Sequence, residues 1–216
     1  MVNVHIPSAF KENHLESLYQ LIEDYPLGTL VSSVASKLDA NHIPFYLNKA
    51  NVGSVTLQSH IAKANNLWRQ CCDGQSILLV FHGPNAYISP NFYPSKQQNA
   101  KVVPTWNYAV VHVRGRIYFK HDSKWILQLL EKISDIHESN SQDTPWSVSD
   151  APADFIAKLI KAVVGLEIEI DDIVGNFKLS QNKTDIDYQG VSDALKQSNK
   201  ENEQAVYKRM RANNLS

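Results

Sequence analysis

Apolar residues recur at two different periods along the chain, and the switches between them mark its elements. Leu15, Leu18, Ile22 and Tyr25 stand at helical spacing, behind Asn13 with Glu16 three residues on, the spacing of a capping box. Pro26 and Gly28 close that helix. From Gly28 the pattern reads as strands: 29–36, a turn at 37–41 on Asp39 and Asn41, then 42–48. Pro44 cannot donate to a ladder, so this strand is an edge, is bulged, or is open to a ligand. Asn51-Val52-Gly53 reads as a turn and 54–59 as a third strand, and 60–69 as a short helix on Ile61, Ala64, Leu67 and Trp68. The continuous apolar run 76–81 reads as a buried strand, 86–89 as a shorter one and 91–101 as a loop.

The stretch 108–119 alternates most cleanly: Val111, Val113, Ile117 and Phe119 on one face, His112, Arg114, Arg116 and Tyr118 on the other. Asp122 or Ser123 caps a helix with the stripe Ile126, Leu129, Leu130, Ile133 and Ile136. A further helix over 153–164 starts at Pro152 and stops at Gly165. Leu166, Ile168 and Ile170 alternate with Glu167, Glu169 and Asp171, and 177–181 reads as the last strand. Beyond Asp187 the chain is polar and weakly helical, and 196–216 is a polar tail or a peripheral helix. Short meander-linked strands between 28 and 120, with helices around them and no linker, predict one domain over 1–195 of mainly β (α+β) class: an antiparallel barrel with peripheral helices.

Composition narrows the setting. With 43% hydrophobic and 20% charged residues the chain is globular, not disordered. A net charge of −1 lacks the footprint of a constitutive nucleic-acid binder. No apolar run approaches the roughly 20 residues that span a bilayer, and the first ten residues lack the pattern of a signal peptide. Cys71 and Cys72 are adjacent and build no disulfide framework, so a reducing cytoplasmic setting is expected. Phosphate loops, the G-x-S-x-G elbow, C-x-x-C and H-E-x-x-H are absent, so no catalytic residue is assigned and no metal site is expected.

Four clusters carry candidate chemistry. His42, Ile43, Pro44 and Phe45, on a proline-broken strand, offer backbone groups to a planar ring, and equally fit a turn feeding an edge strand. Ser59, His60, Lys63, Ala64 and Asn65 lie where a strand passes into the expected helix, which suits a phosphate; plain capping by Ser59 explains the same residues. Trp106 and Asn107, followed by Tyr108, can wall a flat ligand or pack at a barrel end. Lys178 and Ser180 share a strand face beside Gln181, as a pocket wall or an exposed face. Arg114 and Arg116 match Glu167 and Glu169 in spacing and read as cross-strand ion pairs.

In order, these blocks resemble a known family. They are Pro26-Leu27-Gly28-Thr29-Leu30, Leu38-Asp39-Ala40-Asn41-His42-Ile43-Pro44-Phe45, and His60-Ile61-Ala62-Lys63-Ala64-Asn65-Asn66-Leu67-Trp68-Arg69. Next come Phe81-His82-Gly83-Pro84-Asn85-Ala86-Tyr87-Ile88-Ser89-Pro90 and Val103-Pro104-Thr105-Trp106-Asn107-Tyr108-Ala109-Val110-Val111-His112. Pro145-Trp146-Ser147-Val148, Val164-Gly165-Leu166-Glu167-Ile168 and Lys178-Leu179-Ser180-Gln181-Asn182 complete them. From residue 7 to about 191 the chain resembles the PaiB-like FMN-binding negative transcriptional regulators.

The resemblance implies a split β-barrel of the pyridoxamine-phosphate-oxidase type, a homodimer with FMN at the subunit interface, and repression of genes. It also implies that the FMN phosphate sits at 59–65 and the ring along 42–45, with Trp106, Asn107 and the run 178–182 as walls from the partner subunit. DNA is a possible partner of such a regulator, although the charge does not support it and no helix-turn-helix is visible. The alternatives are a flavin-dependent oxidoreductase on a small molecule, a haem-binding barrel with a histidine ligand, and a barrel without a cofactor.

Overall fold

The computed structural model describes residues 4–51, 54–139 and 144–213. In chain order the elements are β1 (Lys11–Glu12), α1 (Leu15–Asp24), β2 (Leu27–Val34), β3 (Lys37–Pro44), β4 (Tyr46–Asn51), β5 (Ser54–Ala62) and α2 (Leu67–Gln70). They continue with β6 (Gln75–Ile88), α3 (Lys96–Asn99), β7 (Thr105–Lys120), α4 (Ser123–Glu138), α5 (Ala153–Lys161), β8 (Val163–Lys178), α6 (Asp185–Lys196) and α7 (Glu201–Asn213). One sheet runs β3-β2-β6-β7-β8-β5-β4, with β1 added on β8. The pairs β1–β8, β2–β3, β4–β5 and β5–β8 are all antiparallel. The class is mainly β with peripheral helices, as the patterning predicts.

Several boundaries differ from the expectation, each for a physical reason. The first hairpin turns at Ala35-Ser36, not at 37–41: both residues have positive φ, 49° and 64°, and Val34 pairs directly with Lys37. Such a tight turn usually carries Asn or Gly, so Asp39 and Asn41 drew the turn to the wrong place, although they are strand residues opposite Ser32 and Leu30. The strand expected over 42–48 breaks at Phe45, between β3 and β4, although its N–H still donates to the Pro26 carbonyl at 2.9 Å, in register with the Leu27–Pro44 pair. Of the turn expected at Asn51-Val52-Gly53, Val52 and Gly53 lie outside the described residues.

The helix expected over 60–69 is the largest correction. β5 continues through Ala62, pairing Ile61 with Val164 and Ala62 with Val163, and only Leu67–Gln70 is helical. Ile61 and Leu67 satisfy a helical period over so short a window, but one is core strand and the other core helix. The expected strands 76–81 and 86–89 are one strand, β6, running through Gly83 and Pro84. A Cβ on Gly83 would lie 2.9 Å from Leu21 Cδ1 and 3.0 Å from the Ala109 carbonyl, so the glycine lets α1 and β7 close on it. At α1 the first helical bond runs from Leu18 N to His14 O, one residue later than a cap at Asn13. Asp122 does cap α4, accepting from Trp125 N at 2.7 Å.

The chain divides into two compact units. One holds the chain up to Asp24, Phe81–His112 and the chain from Val174 onward; its core includes Leu18, Ile22, Phe81, Val111, Phe177, Val191, Val206 and Met210. The other holds Tyr25–Val80 and Val113–Ile173, with a core including Leu30, Leu57, Leu79, Ile117, Ile126, Leu166 and Ile168. In the second unit the expected cross-strand charges meet in part. Arg116 reaches Glu169 and Asp171, both at 3.3 Å, and Glu167 pairs with Lys120 at 2.8 Å. Arg116, Glu169 and Asp171 are close to half exposed, so those pairs add little stability. No helix among the described residues is long and apolar enough to cross a membrane.

Candidate functional site

The sequence clusters fall into two groups, one in each unit. In the unit of 25–80 and 113–173, the strand break at Phe45 meets the end of β5. Pro44 ends β3, and its carbonyl accepts from the Ser59 hydroxyl at 2.6 Å. Ser59 is fully buried, so its side chain is a strut between strands and caps no helix. Alternation puts Ile43 and Phe45 in the core and leaves His42 and Pro44 exposed. His60 lies opposite Gly165, with Nδ1 buried and without a hydrogen-bond partner. Burial pushes its imidazole below the ordinary value of 6.5, toward the neutral form.

After Ala62 the chain turns, and this turn is tied down on several sides. Lys63 N donates to Ala162 O at 2.8 Å. The Asn65 amide donates to Asn41 Oδ1 at 2.8 Å and accepts from Leu67 N at 2.9 Å, which pins the turn to β3 beside His42. Trp68 Nε1 donates to the Lys63 carbonyl at 3.0 Å. Lys63 and Ala64 are exposed. Among the described residues no hydrogen bond or ion pair takes the Lys63 ammonium or the Ala64 N–H. The result is a rigid turn with an unspent cation and an unspent backbone donor, which is what an anion needs.

In the other unit the clusters around 106 and 180 meet. Asn107 is fully buried at the start of β7, its amide 2.9 Å and 3.2 Å from the Ser180 hydroxyl and 3.9 Å from Met210 Sδ. Ser180 has φ 67°, a left-handed position that this bond helps to hold. Gln181 closes the same turn, accepting from Leu179 N and donating to Phe177 O. Lys178 Nζ donates to Thr105 Oγ1. Alternation turns Trp106 outward; it is 52% exposed and stands edge-on to Tyr87, with ring centroids 5.9 Å apart. Asn107 and Ser180 thus spend their polar groups on each other, while Trp106 stays available.

The supports of the Lys63 turn are not legible in the sequence. Asn41 is separated by 24 residues from Asn65, and nothing in either segment announces the other. In the sequence Trp68 stands in a helical stripe and in one of the family blocks, and neither signals its bond to Lys63.

The chain from residue 4 to 172 matches the family described as "Putative FMN-binding domain". That span includes the first group together with Trp106 and Asn107, and stops short of Lys178, Ser180 and Gln181. The chain is 33% identical to an uncharacterized protein of Emericella nidulans, covering 87% of this chain and 88% of that one. It is 30% identical to the protease synthase and sporulation protein PAI 2 of Bacillus subtilis, covering 94% and 93%. Among solved structures, the FAD and heme binding protein of Mycobacterium smegmatis superposes with a TM-score of 0.56 at 14% identity, covering 78% of this chain and 73% of that one. At that identity the likeness concerns the fold, an antiparallel split β-barrel.

Proposed function

The chain belongs to this FMN-binding domain family, and on that premise we propose that it is a cytoplasmic, homodimeric flavoprotein of the PaiB type, acting in negative regulation of genes. The observation that carries the flavin assignment is the Lys63 turn: an ammonium and an Ala64 N–H that no described residue takes up, on a segment fixed to β3 by Asn65 and Asn41. That donor set fits a phosphate monoester. His42, Pro44 and the strand break at Phe45 would take the edge of the flavin ring, with Ser59 keeping Pro44 in place. Trp106 would supply a flat apolar wall and Lys178 a further cation, contributed by the partner copy. Asn107, Ser180 and Gln181 would hold the segments bearing those two.

Bound FMN would bring a redox-active ring; the chain's own part is to bind it, orient it and set the charge around it. The regulatory half of the reading is supported by the B. subtilis relative, whose name ties that protein to protease synthase and sporulation. The net charge of −1 favours regulation through contacts other than with DNA.

The freshly purified full chain should be yellow and release FMN on denaturation, and added FMN should raise its melting temperature, because a ligand of the native state stabilises it. Lys63→Ala should weaken FMN by about tenfold or more while riboflavin, which lacks the phosphate, changes little. A colourless protein whose melting is indifferent to FMN overturns the flavin assignment. A Soret band would replace it with haem.

A further inference from the structure

Trp68 lies on the short helix that follows the Lys63 turn and is only half buried. It does not belong to the buried core. Its indole N–H donates to the Lys63 carbonyl at 3.0 Å. The Arg69 guanidinium lies over the same ring, 4.6 Å from the centroid, and Arg69 Nη1 donates to Asn66 Oδ1 at 3.2 Å. His121 meets the ring from its edge, with centroids 5.6 Å apart. One side chain therefore contacts both basic residues of this segment: it hydrogen-bonds the main chain of Lys63 and lies beneath the guanidinium carbon of Arg69.

We propose that Trp68 is a positioning residue that preorganises Lys63 and Arg69 as a two-cation clamp for a phosphate monoester, Arg69 being the second phosphate-binding residue. This rests on the flavin reading above and deepens it. A phosphate monoester carries about −1.5 to −2 charges at neutral pH, which one lysine does not balance. A guanidinium held over an indole still has N–H groups to donate to a ligand, and its planar fork loses less freedom when it binds. The Asn66 bond sets the rotation of that fork, and the Trp68–Lys63 bond holds the other cation's backbone in register with it.

Titration of the full-length protein, freed of ligand, with FMN and with riboflavin tests this. Arg69→Gln and Trp68→Phe should each weaken FMN by about tenfold or more and leave riboflavin within about twofold. Trp68→Phe leaves an aromatic ring beneath Arg69 and removes the indole N–H bond to Lys63. Combined with Lys63→Ala it should therefore add almost nothing to the loss from Lys63→Ala alone, whereas a general loss of structure would add in full and would weaken riboflavin too.

If Lys63→Ala abolishes the preference for FMN and the other two variants keep it, the clamp is wrong and Lys63 is the one residue of this turn that holds the phosphate. If none of the three changes the preference, the phosphate assignment itself falls. Should Trp68→Phe fail to fold, Arg69→Lys decides. It keeps the charge without the planar stack, so wild-type affinity for FMN overturns the proposal and a loss confined to FMN supports it.

Discussion

His60 is held neutral by the fold: its Nδ1 is buried and unpartnered, and burial lowers its affinity for a proton. The unfolded chain takes up that proton near pH 6.5, and the folded one only at lower pH. Below that value the unfolded state binds more protons, so the contribution is present above about pH 6.5 and is lost as pH falls. The denaturation midpoint should fall from about pH 7 to 5, and His60→Gln should flatten the fall. An unchanged slope in the variant would remove His60 as its source. Asn107 has a different task. Deleting its amide strands the Ser180 hydroxyl in the interior. Asn107→Ala should therefore cost about 1–3 kcal/mol in denaturant unfolding. Asn107 and Ser180 stand out in the sequence by chemical type. That they meet each other across 73 positions does not, because their bond is made by tertiary packing alone.

At the scale of elements, strands β7 and β8 are pressed together at Gly115. A Cβ there would stand 2.2 Å from the Glu169 carbonyl oxygen and 2.9 Å from Ile168 Cγ2. The nearer atom is backbone and cannot rotate away, so Gly115→Ala should lower stability by about 1–3 kcal/mol or more, read as a drop in melting temperature. A melting temperature equal to the wild type would mean that the strands sit further apart. The long alternation of β7 was plain in the sequence because its faces differ sharply in polarity. The hairpin turn was not, since Ala35-Ser36 adopts a left-handed pair without the residues that advertise one. The end of β5 was hidden too. Ile61, Leu67 and Trp68 are spaced as on a helix, and it is pairing with β8 that holds the first of them extended.

For the molecule as a whole, charge bears on the regulatory reading. The basic stretch of α7 is not simply solvated: Arg209 lies over the Phe177 ring at 5.5 Å and reaches Asp24 at 3.4 Å, while Val206 and Met210 on the same helix are fully buried. Arginine used for docking is not available to a phosphate backbone. The full chain should therefore show no preference for a regulated promoter over random duplex in a titration across salt concentrations. Tight, sequence-selective binding that weakens steeply with salt would overturn the indirect route.

The order of the motif blocks, the mainly β class and the FMN-binding family were determined by the sequence, because period, turn chemistry and residue type are local properties that survive without coordinates. The tertiary structure decided what each candidate residue has left to offer. Ser59 and Asn107 are spent on hydrogen bonds inside the fold, Lys63 is not, and Trp68 joins the turn to Arg69. The reason is physical: a side chain's type fixes which bonds it can make, but only packing fixes which of them are already taken.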